Sequence, residues 1–387
     1  MIRLKKNAHR RVRNGHLWVF SNEIAEPPVN ALEAGSIHEL WDHAGDFIGM
    51  CYANPASLIT ARILSRKRID IDRRFFSTRI ETALAWRNHL FPDRDLYRVV
   101  FGESDYLPGL IVDRYRELLV IQTLTAGMDR HRELIVEALV DLMAPTGIFR
   151  RNDSPTWILE GLPQEKGLEY GSVPPTVEIT SNGLRFLVDI SEGQKTGFFL
   201  DQEANRSLIQ QYAGPGTTIL DLFAYTGAWG LHALAGGADR VTAVDSSRGA
   251  LRTAAQNAEL NGMNDRFEPV RDNAVDFLKK RRDNWDLIVL DPPAFIKSRS
   301  TVREGRKGYI DVNRRALGRL RAGGILITCS CSHHLHAEEF EQLLATASRQ
   351  SGRELRILDF RGQGPDHPVL LSMPETRYLK VIVAQVV

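Results

Sequence analysis

The chain is predicted to be an α/β protein. Its carboxyl-terminal half reads as a Rossmann-like, doubly wound parallel sheet, preceded by a small β-rich module and a central α+β segment. Three observations predict this. From about Thr176 onward, apolar strand-like runs alternate with helical periodicity, and repeated βα units fold as parallel sheets. Between Asp221 and Ser332 lie five short segments, DLFAYTGAWG, AVDSS, RDNAVDF, LDPPAF and TCSCS. Each sits where a strand should end and a loop begin, the place where open α/β sheets build ligand sites. The first 70 or so residues instead alternate apolar and polar positions, with Gly35, Gly45 and Pro55 as breaks, a pattern of short strands.

Taken in order, GSIHEL, GDFIGMCYAN and SLITARIL are strands of the first module, residues 1–72. A helix is expected from about Asp72 to Leu90, because Ile80, Leu84 and Trp86 fall near helical spacing. LPGLIVDRY and LLVIQTLT follow as strands, then a helix from about Arg130 to Leu142 and the strand TGIFRRN. A loop rich in Pro, Gly and Glu, from about Ser154 to Pro175, closes this central segment, residues 73–175. The last segment, residues 176–387, opens with VEITSNGLRFLVDI, whose Asn182-Gly183 pair is a hairpin turn. A helix over Glu203–Tyr212 precedes the alternation itself. Its strands are TTILDLF, RVTAVD, EPV, WDLIVLD and GGILITCS. Its helices run through Ala235, from Gly249 to Leu260, near Ala274–Lys280, and from Tyr309 to Leu320, and VIVAQVV is the expected closing strand.

With 387 residues, 43% of them hydrophobic, the chain can bury two or three domain cores. Runs such as LLVIQTL are far shorter than the roughly 20 residues of a membrane span. The basic start lacks the apolar stretch of a signal peptide, so a cytoplasmic protein is expected. Three cysteines, Cys51, Cys329 and Cys331, are too few and too unevenly placed for a disulfide framework. The net charge is only +2, but the positive residues cluster: Arg3, Lys5, Lys6, Arg10, Arg11 and Arg13 all precede the first acid, Glu23. Further clusters occur at Arg62–Arg74, Lys279–Arg282 and Lys297–Lys307. Each alone is compatible with a solvated surface; together they favour a polyanionic partner.

In TILDLFAYTG a buried strand runs into Asp221 and then a turn holding Phe223, Tyr225 and Gly227. Glycines here let backbone approach a ligand. An aspartate at this point repels phosphate, so the segment suits a sulfonium amino acid donor rather than a dinucleotide. Asp245, 24 residues on and followed by Ser246, ends the second strand, where a carboxylate accepts from a ribose diol. Asp272 and Asn273 end the third and are placed to read the exocyclic amine of adenine, with a helix cap as the alternative for Asp272.

LDPPAF ends the next strand. Pro292 and Pro293 stiffen the loop and expose Asp291 beside the donor pocket, with Phe295 toward a substrate base and Lys297 toward phosphate. Cys331 lies two residues past the apparent end of the strand GGILITCS. C5 of a pyrimidine is a poor nucleophile. A thiolate adding at C6 makes C5 reactive, so a cysteine at this lip points to that chemistry, with Asp291 hydrogen-bonding or protonating N3. Cys329, on the strand, is expected to be a packed structural thiol. Metal binding by Cys329, Cys331, His333, His334 and His336 is disfavoured, because five ligands within eight residues wrap one tetrahedral ion poorly.

HLWVF at 16–20, GQKTGFFLDQ at 193–202, DLFAYTGAWG, VDSS, DPPAF and the SCS at 330–332 together resemble the ribosomal RNA large subunit methyltransferase I family. The resemblance runs over the whole chain. It implies cytosine-C5 methylation of 23S ribosomal RNA with S-adenosyl-L-methionine as cofactor. It also implies an amino-terminal PUA domain, a class I methyltransferase domain and, often, a homodimer. The matching SCS cysteine is Cys331. Many other RNA cytosine-C5 methyltransferases carry a second cysteine after the proline of this motif; here Ala294 follows Pro293, leaving one thiol. In GQKTGFFLDQ, Gln194 and Thr196 are expected at the donor and Lys195 at the RNA, the alternative being a connector with Phe198 and Phe199 in core. Two other functions stay open: an RNA N-methyltransferase that does not need Cys331, and a non-catalytic RNA-binding assembly factor.

Overall fold

The computed structural model describes residues 1–153 and 156–387. They divide into two compact units. The first comprises Met1–Ile179, Val188–Leu200 and Pro365–Thr376; the second comprises Thr180–Leu187, Asp201–Gly364 and Arg377–Val387.

The first unit holds two sheets. The six-stranded one runs, in spatial order, Trp18–Val19, Ala61–Ser65, Phe47–Ala53, Ile37–Trp41, Ile2–Leu4 and Ile24–Glu26. Its core gathers Ile2, Leu4, Val19, Leu40, Ile48, Cys51 and Ile63. The second sheet is ordered Glu165–Gly171, Gly147–Asn152, Leu118–Thr123, Leu110–Tyr115 and Leu96–Phe101. Helices Arg73–Leu90 and Arg132–Met143 pack with it, burying Phe76, Ile80, Ile135 and Leu139. Asp72 caps the first helix by accepting from the Phe75 amide, which fixes its start where the sequence placed it.

Two elements of this sheet differ from expectation. Leu96–Phe101 was not anticipated as a strand. The loop expected from Ser154 to Pro175 contains the short helix Thr156–Leu159 and the edge strand Glu165–Gly171, while Ser154 and Pro155 lie outside the described residues. That strand pairs antiparallel with Gly147–Asn152. Its charged side chains lie along the edge, where Glu165 and Glu169 pair with Arg150 at 3.0 and 2.7 Å. An edge strand needs no apolar face, so its sequence reads as a loop.

In the second unit β1 (Thr218–Leu222), β2 (Arg240–Asp245), β3 (Phe267–Arg271), β4 (Trp285–Leu290), β5 (Leu320–Ser330), β6 (Leu355–Arg361) and β7 (Lys380–Val386) form one sheet. Its order is β3-β2-β1-β4-β5-β7-β6. The first five strands are parallel; β7 lies antiparallel to β5 and β6. Central strands are buried almost throughout, as helices on both faces require. Leu222, Ile288, Leu290, Leu326 and Ile382 share the core with Tyr309, Val312 and Phe340, each large side chain contributing about 1.5–3 kcal/mol by leaving water.

The helices are α1 (Glu203–Leu208), α2 (Ala228–Ala235), α3 (Arg248–Leu260), α4 (Ala274–Lys280), α5 (Val302–Leu317) and α6 (Ala337–Ser351). The helix expected over Glu203–Tyr212 is α1 continued by a 3-10 turn, Ile209–Gln211. The one expected over Tyr309–Leu320 runs from Val302 to Leu317; its start was not legible because its first two turns are largely polar. Neither α6 nor β6 was anticipated. The Asn182-Gly183 turn does join strands Thr176–Ser181 and Leu184–Asp189, with φ of 49° and 82°.

Candidate active site

Strand register brings the sequence-predicted residues of the second unit to one edge. Leu222 of β1 pairs with Val244 of β2 and Leu290 of β4, and Leu290 pairs with Thr328 of β5. Asp245 and Asp291 therefore stand one residue beyond the same level, and β5 continues past it to Ser330. Cys331 is thus one residue beyond the strand, not two. On the far side of β5, Ser330 pairs with Lys380 of β7.

Asp221 is fully buried on β1. One carboxylate oxygen accepts from the Gly230 amide at 3.0 Å, while Oδ1 has no hydrogen-bond partner among the described residues. Burial, reinforced by the charges of Asp291 and Asp245, pushes its carboxyl up to about 8. A buried carboxyl oxygen without a partner, facing two other carboxylates, is a site waiting for a cation or a strong donor.

The loop that follows has an unusual backbone. Phe223, Tyr225 and Gly227 have φ of 63°, 49° and 80°, a left-handed conformation that costs non-glycine residues about 1–3 kcal/mol. Asp245 holds it: its two oxygens accept from the Tyr225 amide at 3.0 Å and the Ser247 amide at 2.8 Å. Gly227 cannot be replaced freely, since a Cβ there would meet Phe267 at 2.8 Å. Ser246 is exposed beside Asp245.

At the end of β3 the helix cap is Asn273, which accepts from Val275 and Asp276 amides at 2.9 and 3.2 Å. Asp272 instead pairs with Lys280 at 2.9 Å. An amino acid with a sulfonium centre fits this donor set: the Asp221 oxygen for its cationic part, and the Asp245 carboxylate for a diol.

The acceptor half is the loop after β4. Asp291 Oδ2 accepts from Trp229 Nε1 at 3.0 Å, and Gln202 Nε2 lies 3.2 Å from both oxygens. Burial pushes the Asp291 carboxyl above its ordinary range, although these bonds and Arg206 pull it back. Pro292 is buried and Pro293 exposed. Phe295 packs on Tyr309 with centroids 4.8 Å apart and meets Phe223 edge-on at 6.4 Å. Lys297 is exposed.

The Cys331 thiol is partly exposed and lies 4.0 Å from the Pro292 carbonyl oxygen. Cys329 is buried, and burial raises its thiol well above the ordinary value. Beside Cys331, the Tyr309 hydroxyl is 2.9 Å from both the Ser330 and Ser332 hydroxyls.

Several residues of this site escaped sequence reasoning. Gln202 and Trp229 lie inside quoted motifs but their spacing says nothing about which way they point. Arg206 is buried among the charges of Asp291, Asp201, Glu203 and Asp221. Tyr378 donates to Asp201 at 2.6 Å. Lys380 has no motif at all. Among the described residues, no group of three or more His, Cys, Asp and Glu side chains could hold a metal ion, and no helix is long and apolar enough to cross a membrane.

Gln194, Lys195 and Thr196 belong to the first unit. Thr196 is buried there, donating to Asp113 at 2.6 Å and lying 3.2 Å from the Tyr115 hydroxyl. Lys195 sits over the Phe199 ring at 4.6 Å, and Gln194 is exposed. Arg10 is exposed, whereas Arg11 pairs with Glu23 and Arg13 with Asp42, both at 2.9 Å.

A model of the S-adenosylmethionine-dependent methyltransferase family matches residues 164–369, and a PUA-like domain model matches residues 2–66. A ribosomal RNA large subunit methyltransferase I from Klebsiella pneumoniae (strain 342) is 37% identical over 385 residues, covering 97% of this chain and 96% of its own. A SAM-dependent methyltransferase from Streptococcus mutans superimposes with a TM-score of 0.85 at 22% identity, over 100% of both chains. A methyltransferase solved in complex with SAH does so with a TM-score of 0.87, also at 22% identity over 100% of both chains. These two likenesses concern the fold.

Proposed function

Since the chain belongs to the ribosomal RNA large subunit methyltransferase I family, an S-adenosylmethionine-dependent group, we propose that it methylates C5 of a cytosine in 23S ribosomal RNA through a covalent Cys331 adduct. The observation that carries this reading is the placement of one partly exposed thiol, Cys331, beside the Asp291-Pro292 loop, while Cys329 is sealed in the core.

The carboxylate of Asp221 and the loop held by Asp245 would bind the cofactor. When bound, it supplies a methyl group activated by its sulfonium charge. The protein supplies the rest. The Cys331 thiolate adds its electron pair to C6, forming an S–C6 bond and moving the C5–C6 π electrons toward N3. Asp291, whose carboxyl burial pushes above its ordinary value, hydrogen-bonds or protonates N3 as charge grows there. C5 is then electron-rich enough to be methylated. Loss of the C5 proton to a base, return of the N3 proton to Asp291 and departure of the thiolate restore the C5–C6 double bond.

Capture of the RNA falls to the positive residues of 1–72, with Arg10 and Arg13 exposed on its first helix, and to the central segment 73–175. A PUA-like module supports such a role. The target base must leave its stack, as bases modified in RNA and DNA do, and Pro293, Phe295 and Lys297 border the place it would enter.

The test is nucleoside analysis by mass spectrometry. Deproteinised ribosomal RNA incubated with donor and wild-type protein should gain 5-methylcytidine, and Cys331→Ala should make none while Cys329→Ala still does. A methylated purine, or full activity in Cys331→Ala, would point to an N-methyltransferase. No methylation in any form would favour an assembly factor.

A further inference from the structure

Lys380 opens β7 and is buried, with 4% of its surface exposed. Its ammonium donates to the Ser332 carbonyl and the Tyr378 carbonyl, each at 2.7 Å. Across the β5–β7 ladder it is the register partner of Ser330. Its register partner, Ser330, and the residue whose carbonyl it holds, Ser332, flank Cys331.

Placing a cation in the interior costs several kcal/mol unless an anion compensates it. Two carbonyl dipoles satisfy two of its protons but carry no net charge. An uncharged methionine of similar length would incur no such cost. Burial lowers the Lys380 ammonium to about 8, and the charges that oppose this are Cys331 first and Glu339 second. Glu339 is engaged elsewhere: it pairs with Arg306 at 3.3 Å and caps α6 by accepting from the His336 amide at 3.1 Å. The anion left to match Lys380 is the Cys331 thiolate.

The other titratable groups packed around this corner do not replace it. Tyr309 of α5 is held neutral, because burial raises its hydroxyl. Cys329 of β5 is likewise held as a thiol by burial. The charges of Asp291, after β4, and Asp201, before α1, raise the neighbouring Cys329 thiol, and neither is among the charges that act on Lys380. Without a compensating cation, Cys331 would be pushed toward its inert form.

We propose that Lys380 is the positioning residue that holds Cys331 as a reactive thiolate: its bond to the Ser332 carbonyl fixes the segment and its charge stabilises the ionised sulfur. It acts through Cys331 and does not touch the base. The proposal rests on the covalent reading for its purpose but not for its test.

The test measures alkylation of Cys331 by iodoacetamide as a function of pH, assigned by peptide mass spectrometry, with neither RNA nor donor present. In the wild-type protein the midpoint should fall below the ordinary cysteine value of about 8.5. Lys380→Met should raise it by about one pH unit and slow alkylation at pH 7 about tenfold, while Lys380→Arg should keep most of the wild-type rate. A Lys380→Met profile superimposed on the wild-type one would overturn the proposal, even if the variant melts at lower temperature, because a purely structural lysine changes stability and not the midpoint. If Lys380→Met does not fold, the wild-type protein decides: a midpoint at or above 8.5 overturns the proposal. The two readings fail separately. A shifted midpoint with 5-methylcytidine still made by Cys331→Ala would sink covalent catalysis and leave Lys380 as the thiol's charge partner. An unshifted midpoint with an inactive Cys331→Ala would do the reverse.

Discussion

The indole of Trp229, in the first turn of α2, donates to Asp291 Oδ2 at 3.0 Å. One bond thus ties the helix that follows the Asp221 loop to the carboxylate at the head of the loop after β4.

Replacing Trp229 by Phe removes a bond that lowers the Asp291 carboxyl. Its apparent pKa should climb further. If Asp291 works as an acid, activity is lost as pH rises through that value. The alkaline limb of the kcat profile should therefore move to higher pH, with kcat about 10-fold lower from loss of alignment. A limb that moves to lower pH would contradict the assignment.

Asp221→Asn tests the buried carboxyl. Its folded-state pKa, about 8, lies above the ordinary 3.8, so between those values the folded protein holds a proton that the unfolded chain has released. Wild-type stability then falls as pH rises through this window. The Asn variant lacks this dependence, so its melting temperature should gain on the wild type from pH 5 to pH 8. Calorimetry should show the opposite for the donor, with affinity down at least about 10-fold. Parallel melting curves would show that Asp221 is not held protonated.

Arg10 and Arg11 should separate binding from folding. Arg10 is exposed, whereas Arg11 bonds the Trp18 carbonyl at 3.0 Å and pairs with Glu23. Arg10→Ala should weaken binding to a ribosomal RNA fragment and reduce the slope of log affinity against log salt by about 1, without altering stability. Arg11→Ala should lower the unfolding temperature instead. Both are read by fluorescence anisotropy across a salt series and by thermal melts.

In the first unit Arg62 meets Glu160 at 2.8 Å with both side chains under 10% exposed, and Asn54 donates to the same carboxylate. Glu160→Leu alone should cost about 3–5 kcal/mol in urea unfolding by stranding the guanidinium, and the double replacement with Arg62→Met should recover most of it.

The sequence was most legible where periodicity and chemistry agreed. Asp221, Asp245, Asp291 and Cys331 could be placed at strand ends because buried parallel strands are near-continuous apolar runs with a clear stop. Elements without an apolar signature were not legible: the polar edge strand Glu165–Gly171 and the first turns of α5. Lys380 was hidden for a different reason. Its neighbours, Ser332 and Tyr378, are set by strand register and turn geometry, and no local spacing records that a lysine so far along the chain returns to the cysteine loop. The residues that tune the site, Trp229 and Gln202 among them, act through orientation, which a linear pattern does not hold.

The central claim is a bond between the Cys331 sulfur and C6 of a cytosine, and trapping that bond tests it most directly. With RNA carrying 5-fluorocytidine at the target, the fluorine at C5 cannot leave as a proton does, so the adduct should persist after methylation. The account predicts a denaturation-resistant protein–RNA complex that forms only with donor present, maps by peptide mass spectrometry to Cys331, and is absent in Cys331→Ala. A methylated RNA product with no such complex, or a complex that maps to Cys329, would contradict it.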